Sequence, residues 1–556
     1  MSALLLILNL IGGLGIFLVG MRWMSDGIHR RAGNRLRSIL HRLTSNRVAG
    51  ALTGLGVTSL VQSSSATTVL LVSLVNVGLV TLRQSIGVVM GANVGTTLTA
   101  WIVSLVGFKV SITDFALPAI AIALPFHFSK IQSRREFADI LIGFGLLFLG
   151  LHLMKESVPD IRSNPEILSF LQYWSGMGYV SVLIFIVVGT VLTVVVQSSS
   201  AAMAITITMA FQGWISFPIA AAIVLGENIG TTITAFLASL PMNASAKRTA
   251  RAHMLFNLFG VAWMLAVFFP FVRLVDLIFP GSASDPANIP LHLSLFHTLF
   301  NVANTFILLP FVDLIALIVE RMVPERREVI HGPYRLNLVP SNMPEALESN
   351  LITIRRELCR MAERASTMLR SILDVSRNPA TLERVTPELE LVEQRVDEMQ
   401  EEITRFLTES MRLQVSDDQA RYIQATQRIA HELEGITDAC FSIGLLLKRL
   451  HKKGRRIHDD GDQELNAYIR QVTDFLSYNR DYLERKFEDY DMAKAFEMEE
   501  RIDKVRNRLR KRSRKSIEQD AESDVKGELL FIDIVRHLEH IGDHSLNISE
   551  AAVELA

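Results

Sequence analysis

Two runs of neutral hydrogen-bonding side chains, each set inside an apolar stretch, have the residue types to coordinate an ion and an oxyanion together. The first is Val61-Gln62-Ser63-Ser64-Ser65-Ala66, followed by Gly91-Ala92-Asn93-Val94-Gly95-Thr96-Thr97. The second is Val196-Gln197-Ser198-Ser199-Ser200-Ala201, followed by Gly226-Glu227-Asn228-Ile229-Gly230-Thr231-Thr232. Each residue of the second copy lies 135 positions after its counterpart (197 against 62, 228 against 93), so the copies align without a gap. Ser, Thr, Asn and Gln are costly in lipid unless they face protein, water or an ion. Serine hydroxyls both donate and accept, so one cluster serves an anion and a hard cation such as sodium. A helix broken at membrane depth aims its partly positive N-terminus at an anion. Gln62 and Gln197 add an amide at the break, and Gly91, Gly95, Gly226 and Gly230 let backbones approach closely. Neither island contains Lys or Arg, so an anion there would be held by neutral donors and accompanying cations, which predicts obligatory cation coupling. The competing reading is that small and hydroxyl residues merely allow membrane helices to pack. Repetition of the whole pattern weighs against it.

These islands need membrane-spanning elements to hold them. Apolar segments fall near 3–21, 48–80, 84–107, 112–128, 137–154, 178–213, 217–240, 252–279 and 292–319. A spanning helix takes about 20 apolar residues. The segments 48–80 and 178–213 exceed one crossing and are interrupted by the Gln-Ser-Ser-Ser islands. Leu4 to Val19 reads as a retained first membrane helix, since no basic residue precedes it. Basic clusters occupy 22–47 (Arg22, Arg30, Arg31, Arg35, Arg37, Arg42, Arg47), then Lys130, Arg134 and Arg135, then Lys247, Arg248 and Arg251, then Arg321, Arg326 and Arg327. The positive-inside rule puts all four on the cytoplasmic side. That holds only if both interrupted segments cross an even number of times, as a re-entrant hairpin or as two spans. The copies then run in opposite directions: an inverted repeat, the mark of a transporter built from two structural units.

The expected fold class is therefore all-α, a polytopic membrane domain with two inverted repeats and re-entrant hairpins, then a soluble antiparallel helical bundle. The boundaries are a membrane domain at 1–325 (repeats about 48–107 and 178–240), a linker at 326–340 and a cytoplasmic helical domain at 341–556. Composition agrees. Hydrophobic residues make up 49% of the 556 and charged residues 20%, a mixture of two unlike halves. The net charge of −1 averages the two and carries no information on partners. Cys359 and Cys440, both in the charged half, form neither a disulfide framework nor a zinc pattern. No P-loop or nucleophile motif is present, so an enzyme is not expected, and neither is a nucleic-acid partner. A homodimer is left open.

The doubled Gln-Ser-Ser-Ser and Gly-x-Asn-x-Gly-Thr-Thr motifs resemble the type II sodium/phosphate cotransporter family over residues 1–320. The resemblance implies symport of Na+ with inorganic phosphate in a plasma (bacterial inner) membrane. It also implies that Gln62, Ser63, Ser64, Ser65, Gln197, Ser198, Ser199 and Ser200 build the substrate and sodium sites, with Thr67, Asn93, Thr96, Asn228 and Thr231 as further ligands. The copies differ in two places. Thr67-Thr68 becomes Ala202-Met203, and Ala92 becomes Glu227. A carboxyl at membrane depth is a candidate to hold a cation or carry a proton; it could equally pair with a buried Arg or sit at an aqueous rim. A second echo, His253-x-x-Phe256-Asn257 and His297-x-x-Phe300-Asn301, places His and Asn on one helix face, as interhelical bonding pairs or as coupling elements.

The charged half shows helical periodicity over about 343–376, 383–412, 416–451, 463–488, 491–518 and 525–552, with the basic run Lys452-Lys453-Gly454-Arg455-Arg456 at the middle turn. Glu434 and Asp438 in the first three-helix unit match Glu539 and Asp543 in the second; carboxylates four apart share a face and could hold a metal or simply be solvated. This half resembles the PhoU family, which implies a divalent or iron-type metal at Glu434, Asp438, Glu539 and Asp543 and a regulatory role. The expected function is sodium-coupled phosphate transport. The rivals are another anion, outward phosphate movement, a non-transporting sensor and a channel.

Overall fold

Large apolar side chains face outward over the N-terminal part of this chain, while amide, imidazole and carboxyl groups are buried. Leu277 is 84% exposed and Glu227 2%. That inversion suits a molecule whose solvent is lipid rather than water. A computed structural model describes residues 3–42, 46–109, 113–157, 174, 176–324, 334–336, 338–339, 346–412, 415, 417–485, 490–519 and 523–553. Two compact units are formed. One is Met1–Arg327 with Leu338–Ser349; the other is Glu328–Asn337 with Asn350–Ala556. Arg326 and Arg327 of the fourth basic cluster lie outside the described residues. The described residues are almost wholly helical.

The first unit contains α1 (Ala3–Arg42), α2 (Arg47–Val61), α3 (Ser64–Asn76), α4 (Leu82–Lys109), α5 (Thr113–His127), α6 (Gln132–Ser157), α7 (Tyr179–Val196), α8 (Ser199–Phe211), α9 (Phe217–Gly230), α10 (Thr232–Ser239), α11 (Ala244–Ile278), α12 (Ile289–Leu308) and α13 (Val312–Met322). Among the described residues seven stretches are long and apolar enough to cross a membrane: Leu8–Ile28, Leu82–Phe108, Ser133–Ser157, Tyr179–Val196, Phe217–Ser239, Ala244–Ile278 and Ile289–Met322. α1 differs from the sequence expectation. It runs on through the basic segment to Arg42 instead of ending near residue 21. Hydropathy marks where a chain leaves hydrocarbon, not where its helix stops.

Both interrupted segments break where the serine islands stand. α2 ends at Gln62, which adopts the left-handed conformation (φ 58°), and α7 ends at Gln197 (φ 55°). Few non-glycine residues occupy that region, and holding one there costs about 1–3 kcal/mol. Ser63 and Ser198 then turn extended and cap the next helix, each side-chain oxygen accepting from a backbone N–H three residues on, Ala66 or Ala201. α2, α3 and α8 have 15, 13 and 13 residues. At 1.5 Å per residue they measure about 20–22 Å, short of a hydrocarbon core of about 30 Å, so none crosses alone.

Glycine sets how closely the flanking helices meet. α2 packs on α4 and α7 packs on α9. A Cβ on Gly91 would collide with the carbonyl oxygen of Ala51, and one on Gly226 with that of Ile186, again 135 positions apart. A Cβ on Gly95 would lie 2.7 Å from the Leu55 oxygen, and one on Gly230 2.7 Å from the Thr190 oxygen. The repeat is thus structural as well as textual. Its helix pattern changes at Thr231: α4 is continuous, whereas the second copy breaks there into α9 and α10.

The second unit is built from α14 (Ala346–Arg377), α15 (Leu382–Ser410), α16 (Asp417–Lys452), α17 (Gly461–Glu484), α18 (Met492–Gln519) and α19 (Val525–Val553). Their apolar stripes close a core in which Ile429, Ile436, Ile443, Phe531, Ile534, Leu538 and Ile541 are fully buried. α16 and α19 are the central pair. The basic run at 452–456 forms the turn between α16 and α17. Lys452 and Lys453 are exposed there, whereas Arg455 pairs with Asp524 at 3.4 Å.

If the glycine contacts set the helix spacing, Gly91→Ala and Gly226→Ala should each destabilise the first unit by about 1–3 kcal/mol. Gly56→Ala, on α2 but with nothing within 4 Å of the added carbon, should not. Thermal melting of the purified protein in detergent distinguishes them. Equal melting of all three variants would remove the packing role.

Candidate functional site

The two breaks and the two glycine-packed helices deliver residues to one cavity. Its wall comprises Ser64 from α3, Asn93, Thr96, Thr99 and Ala100 from α4, Ser199, Ser200 and Met203 from α8, Glu227 and Asn228 from α9, Thr231 after it, and His297 from α12. Its empty volume is about 350 Å3, the opening included. Three pairs in that wall are repeat equivalents: Ser64 with Ser199, Asn93 with Asn228, and Thr96 with Thr231.

Each pair is held alike. Asn93 donates Nδ2–H to the Val89 carbonyl and Asn228 to that of Val224, at 2.9 and 2.8 Å, leaving the rest of each amide for the cavity. Thr96 and Thr231 donate to the carbonyls four residues back, Ala92 and Glu227, at 3.1 and 2.7 Å. A hydroxyl so engaged keeps acceptor capacity, which suits a cation. Ser64 and Ser199 are the first residues of α3 and α8, so two helix N-termini end at the cavity. Unsatisfied N–H groups and the helix dipole favour an anion there.

The structure does not bring every expected residue to that wall. Ser63 and Ser198 serve as helix caps. Gln62 is buried but turned away: its Nε2 donates to the Ser59 carbonyl at 2.5 Å, and its Oε1 accepts from Thr99 at 3.0 Å. It reaches the cavity only through Thr99. Gln197 is exposed, Thr67 donates to the Ser63 carbonyl, and Ser65 is not on the wall. Conversely, Thr99, Ala100, Met203 and His297 line the cavity without having been singled out as ligands. Asn93, Thr96 and Ala100 lie on one helical face, so helical spacing from Asn93 would have found that last position. Thr58 and Thr193, also 135 apart, carry buried hydroxyls with no hydrogen-bond partner.

Charge is sparse at the wall. No Lys or Arg is among its residues, and Glu227 is its one carboxyl. Thr206 donates to Glu227 Oε1 at 2.7 Å, while Oε2 has no hydrogen-bond partner. Two like unit charges about 4 Å apart repel by about 4 kcal/mol at an effective dielectric near 20. An ionised Glu227 would therefore oppose an anion in this cavity unless a cation offset its charge. In the His-Asn echoes, Asn257 and Asn301 donate to the carbonyls of His253 and His297, at 3.1 and 3.0 Å. These bonds lie within one helix each. Only His297 reaches the wall.

In the second unit the metal expectation fits poorly. Among the described residues no three His, Cys, Asp or Glu side chains converge to hold a metal ion. Around Glu539 and Asp543 the charge is met only in part: Arg506 pairs with both Glu539 and Asp503, while burial and the charges of those two carboxylates still raise the Asp543 carboxyl. Around Glu434 and Asp438 no arginine is paired among the described residues; burial first, then the charges of Asp438 and Asp397, push the Glu434 carboxyl above its ordinary pKa, against a lowering by His431. Burial and neighbouring carboxylates raise Glu393 in the same way. A carboxyl raised in the folded state binds its proton more tightly than in the unfolded chain. Stability is therefore full at low pH and falls as pH rises through that raised value. Glu434→Gln should raise the melting temperature at neutral pH. The gain should vanish near pH 4, where both forms are neutral. Melting temperature against pH checks this; an equal gain at both pH values would contradict it.

Comparison with known proteins bears on both halves of the chain. A Na+/Pi-cotransporter family model matches residues 16–156 and 177–276. A PhoU domain model matches twice, over 358–446 and 464–552. The chain is 28% identical over 473 residues to the protein named "Putative inorganic phosphate export protein YjbB" of Escherichia coli (strain K12), covering 84% of this chain and 83% of that one. It is 28% identical over 315 residues to the "Uncharacterized protein YqeW" of Bacillus subtilis (strain 168), 56% of this chain and 96% of that one. A stretch of 98 residues is 37% identical to "Sodium-dependent phosphate transport protein 2A" of Rattus norvegicus, 17% of this chain and 15% of that one. No solved structure matches. The membrane half of the chain belongs to the Na+/Pi-cotransporter family, and its C-terminal half carries a tandem pair of PhoU domains.

Proposed function

We propose that the chain moves inorganic phosphate across the cytoplasmic membrane in symport with sodium, by alternating access around the cavity between the two copies. The observation that carries this reading is the composition of the wall. Equivalent residues of both copies meet there, with two helix N-termini for an anion and hydroxyl and carbonyl oxygens for hard cations. Phosphate offers several acceptor oxygens and little apolar surface, which matches a wall of Ser, Thr and Asn. The lack of Lys or Arg leaves its charge to sodium.

In this reading the copies run oppositely through the bilayer, each serine island enters as a re-entrant hairpin, and the basic clusters and the PhoU pair face the cytoplasm. The PhoU pair then regulates transport or reports phosphate status, with no step assigned to a metal. Net direction has a second reading. A relative that spans most of this chain bears a putative export name, which favours outward movement on the same coupling.

Labelled phosphate flux in proteoliposomes, with sodium, lithium and proton gradients imposed separately, tests the proposal. Uptake should follow the sodium gradient. Ser64→Ala and Ser199→Ala should each slow it by about 10–100-fold, the worth of one hydrogen bond to a charged group, with melting unchanged. Normal flux in both variants would discard this cavity as the site, and absence of phosphate flux from the unaltered chain would discard transport.

A further inference from the structure

We propose that Glu227, held by Thr206, is the coupling carboxylate of the second copy and takes up one positive charge, a proton or a sodium ion, in each transport cycle. The inference rests on the transport reading above and assigns part of its coupling to one residue. Glu227 stands in the cavity wall between Ser199, Ser200, Asn228 and Thr231 of its own copy and Ser64, Asn93 and Thr96 of the other. It is buried, one oxygen is fixed by Thr206, and the other lacks a partner.

The pair is not demanded by packing. The positions 135 earlier are Ala92 for Glu227 and Leu71 for Thr206, both fully buried in the first copy. The same architecture is therefore complete with an apolar pair. The first copy instead carries Thr67 and Thr68, whose hydroxyls bond the Ser63 and Ser64 carbonyls, where the second has Ala202 and Met203. Each copy thus has its own polar supplement beside its serine island, hydroxyls in one and a carboxyl in the other.

Among the described residues no cationic side chain compensates Glu227 from the elements packed on α9. α8 and α10 carry no titratable residue, and α7 carries only Tyr179, at its far end from Gln197. On α11, Lys247, Arg248, Arg251, His253, Arg273 and Asp276 all lie off the cavity wall. Of these, Arg248 donates to the Val323 carbonyl and Arg251 lies over the Phe236 ring. On α12, His292 lies beside Asp276, and His297 alone shares the wall, with Nδ1 unpartnered. An ionised Glu227 would repel the anion that the two N-termini attract. Neutralising it by a proton or sodium and binding phosphate must then favour each other equally, by linkage.

The test is the phosphate accumulation ratio reached by the full-length protein in proteoliposomes, read against a sodium gradient at equal pH and against a pH gradient at equal sodium. Glu227→Gln is compared with the double variant Glu227→Ala, Thr206→Leu, which installs the pair the first copy already packs. Each lost coupling ion should lower accumulation about tenfold under a tenfold gradient of that ion. A drop in the sodium arm identifies sodium at Glu227, and a drop in the pH arm identifies a proton. Ratios equal to those of the unaltered chain in both arms would overturn the inference. So would complete loss of phosphate movement in both folded variants, since Glu227 would then serve the substrate route itself. Failure of the unaltered chain to move phosphate would instead overturn the transport reading and this inference with it.

Discussion

Backbone and side-chain polar groups at membrane depth must find partners, because lipid offers none. This constraint explains the chain's central feature. Breaking a helix at Gln62 and Gln197 frees N–H and C=O groups that a continuous helix would satisfy. The serine that follows each break repairs part of the loss by capping the next helix. The rest is left facing a cavity. Left-handed glutamines would be poor choices if the break served only a bend, since glycine holds that conformation without strain. Their persistence in both copies at φ 58° and 55° shows how closely the two breaks share one geometry.

Duplication then explains the site. One helix N-terminus beside an amide and a hydroxyl is a weak anion cradle. Two such N-termini at one cavity double the donors without a Lys or Arg in its wall. Glycine at 91 and 226 is what allows the flanking helices close enough for their Asn and Thr residues to reach that space. Asymmetry enters through Glu227 and Thr206, and through the break at Thr231, all in the second copy.

Much of this was legible in the sequence. Polar islands in apolar runs located both breaks to the residue, because lipid makes such islands expensive. The six helices of the charged half followed from their periodicity, with ends displaced by a few residues. Which serine of three faces inward was not legible, since consecutive helical residues point in different directions: Ser64, Ser199 and Ser200 line the cavity, while Ser63 and Ser198 cap. Gln62 was read as a ligand but bonds Ser59 and Thr99 instead. For His297 the sequence leaves a helix-bonding pair or a coupling element open; the structure puts it on the wall, where it arrives from a helix outside the repeated segments. Spacing places Glu539 and Asp543 on one helix face, yet it could not show that Arg506 already answers Glu539.

The central claim is that both copies build one binding site. Equilibrium binding of labelled phosphate to the purified protein in sodium tests it most directly, with stoichiometry determined for the unaltered chain, Ser64→Ala and Ser199→Ala. A shared site predicts a single phosphate per chain, with both substitutions weakening that same binding event. Two phosphates per chain, with each substitution removing one and sparing the other, would contradict it.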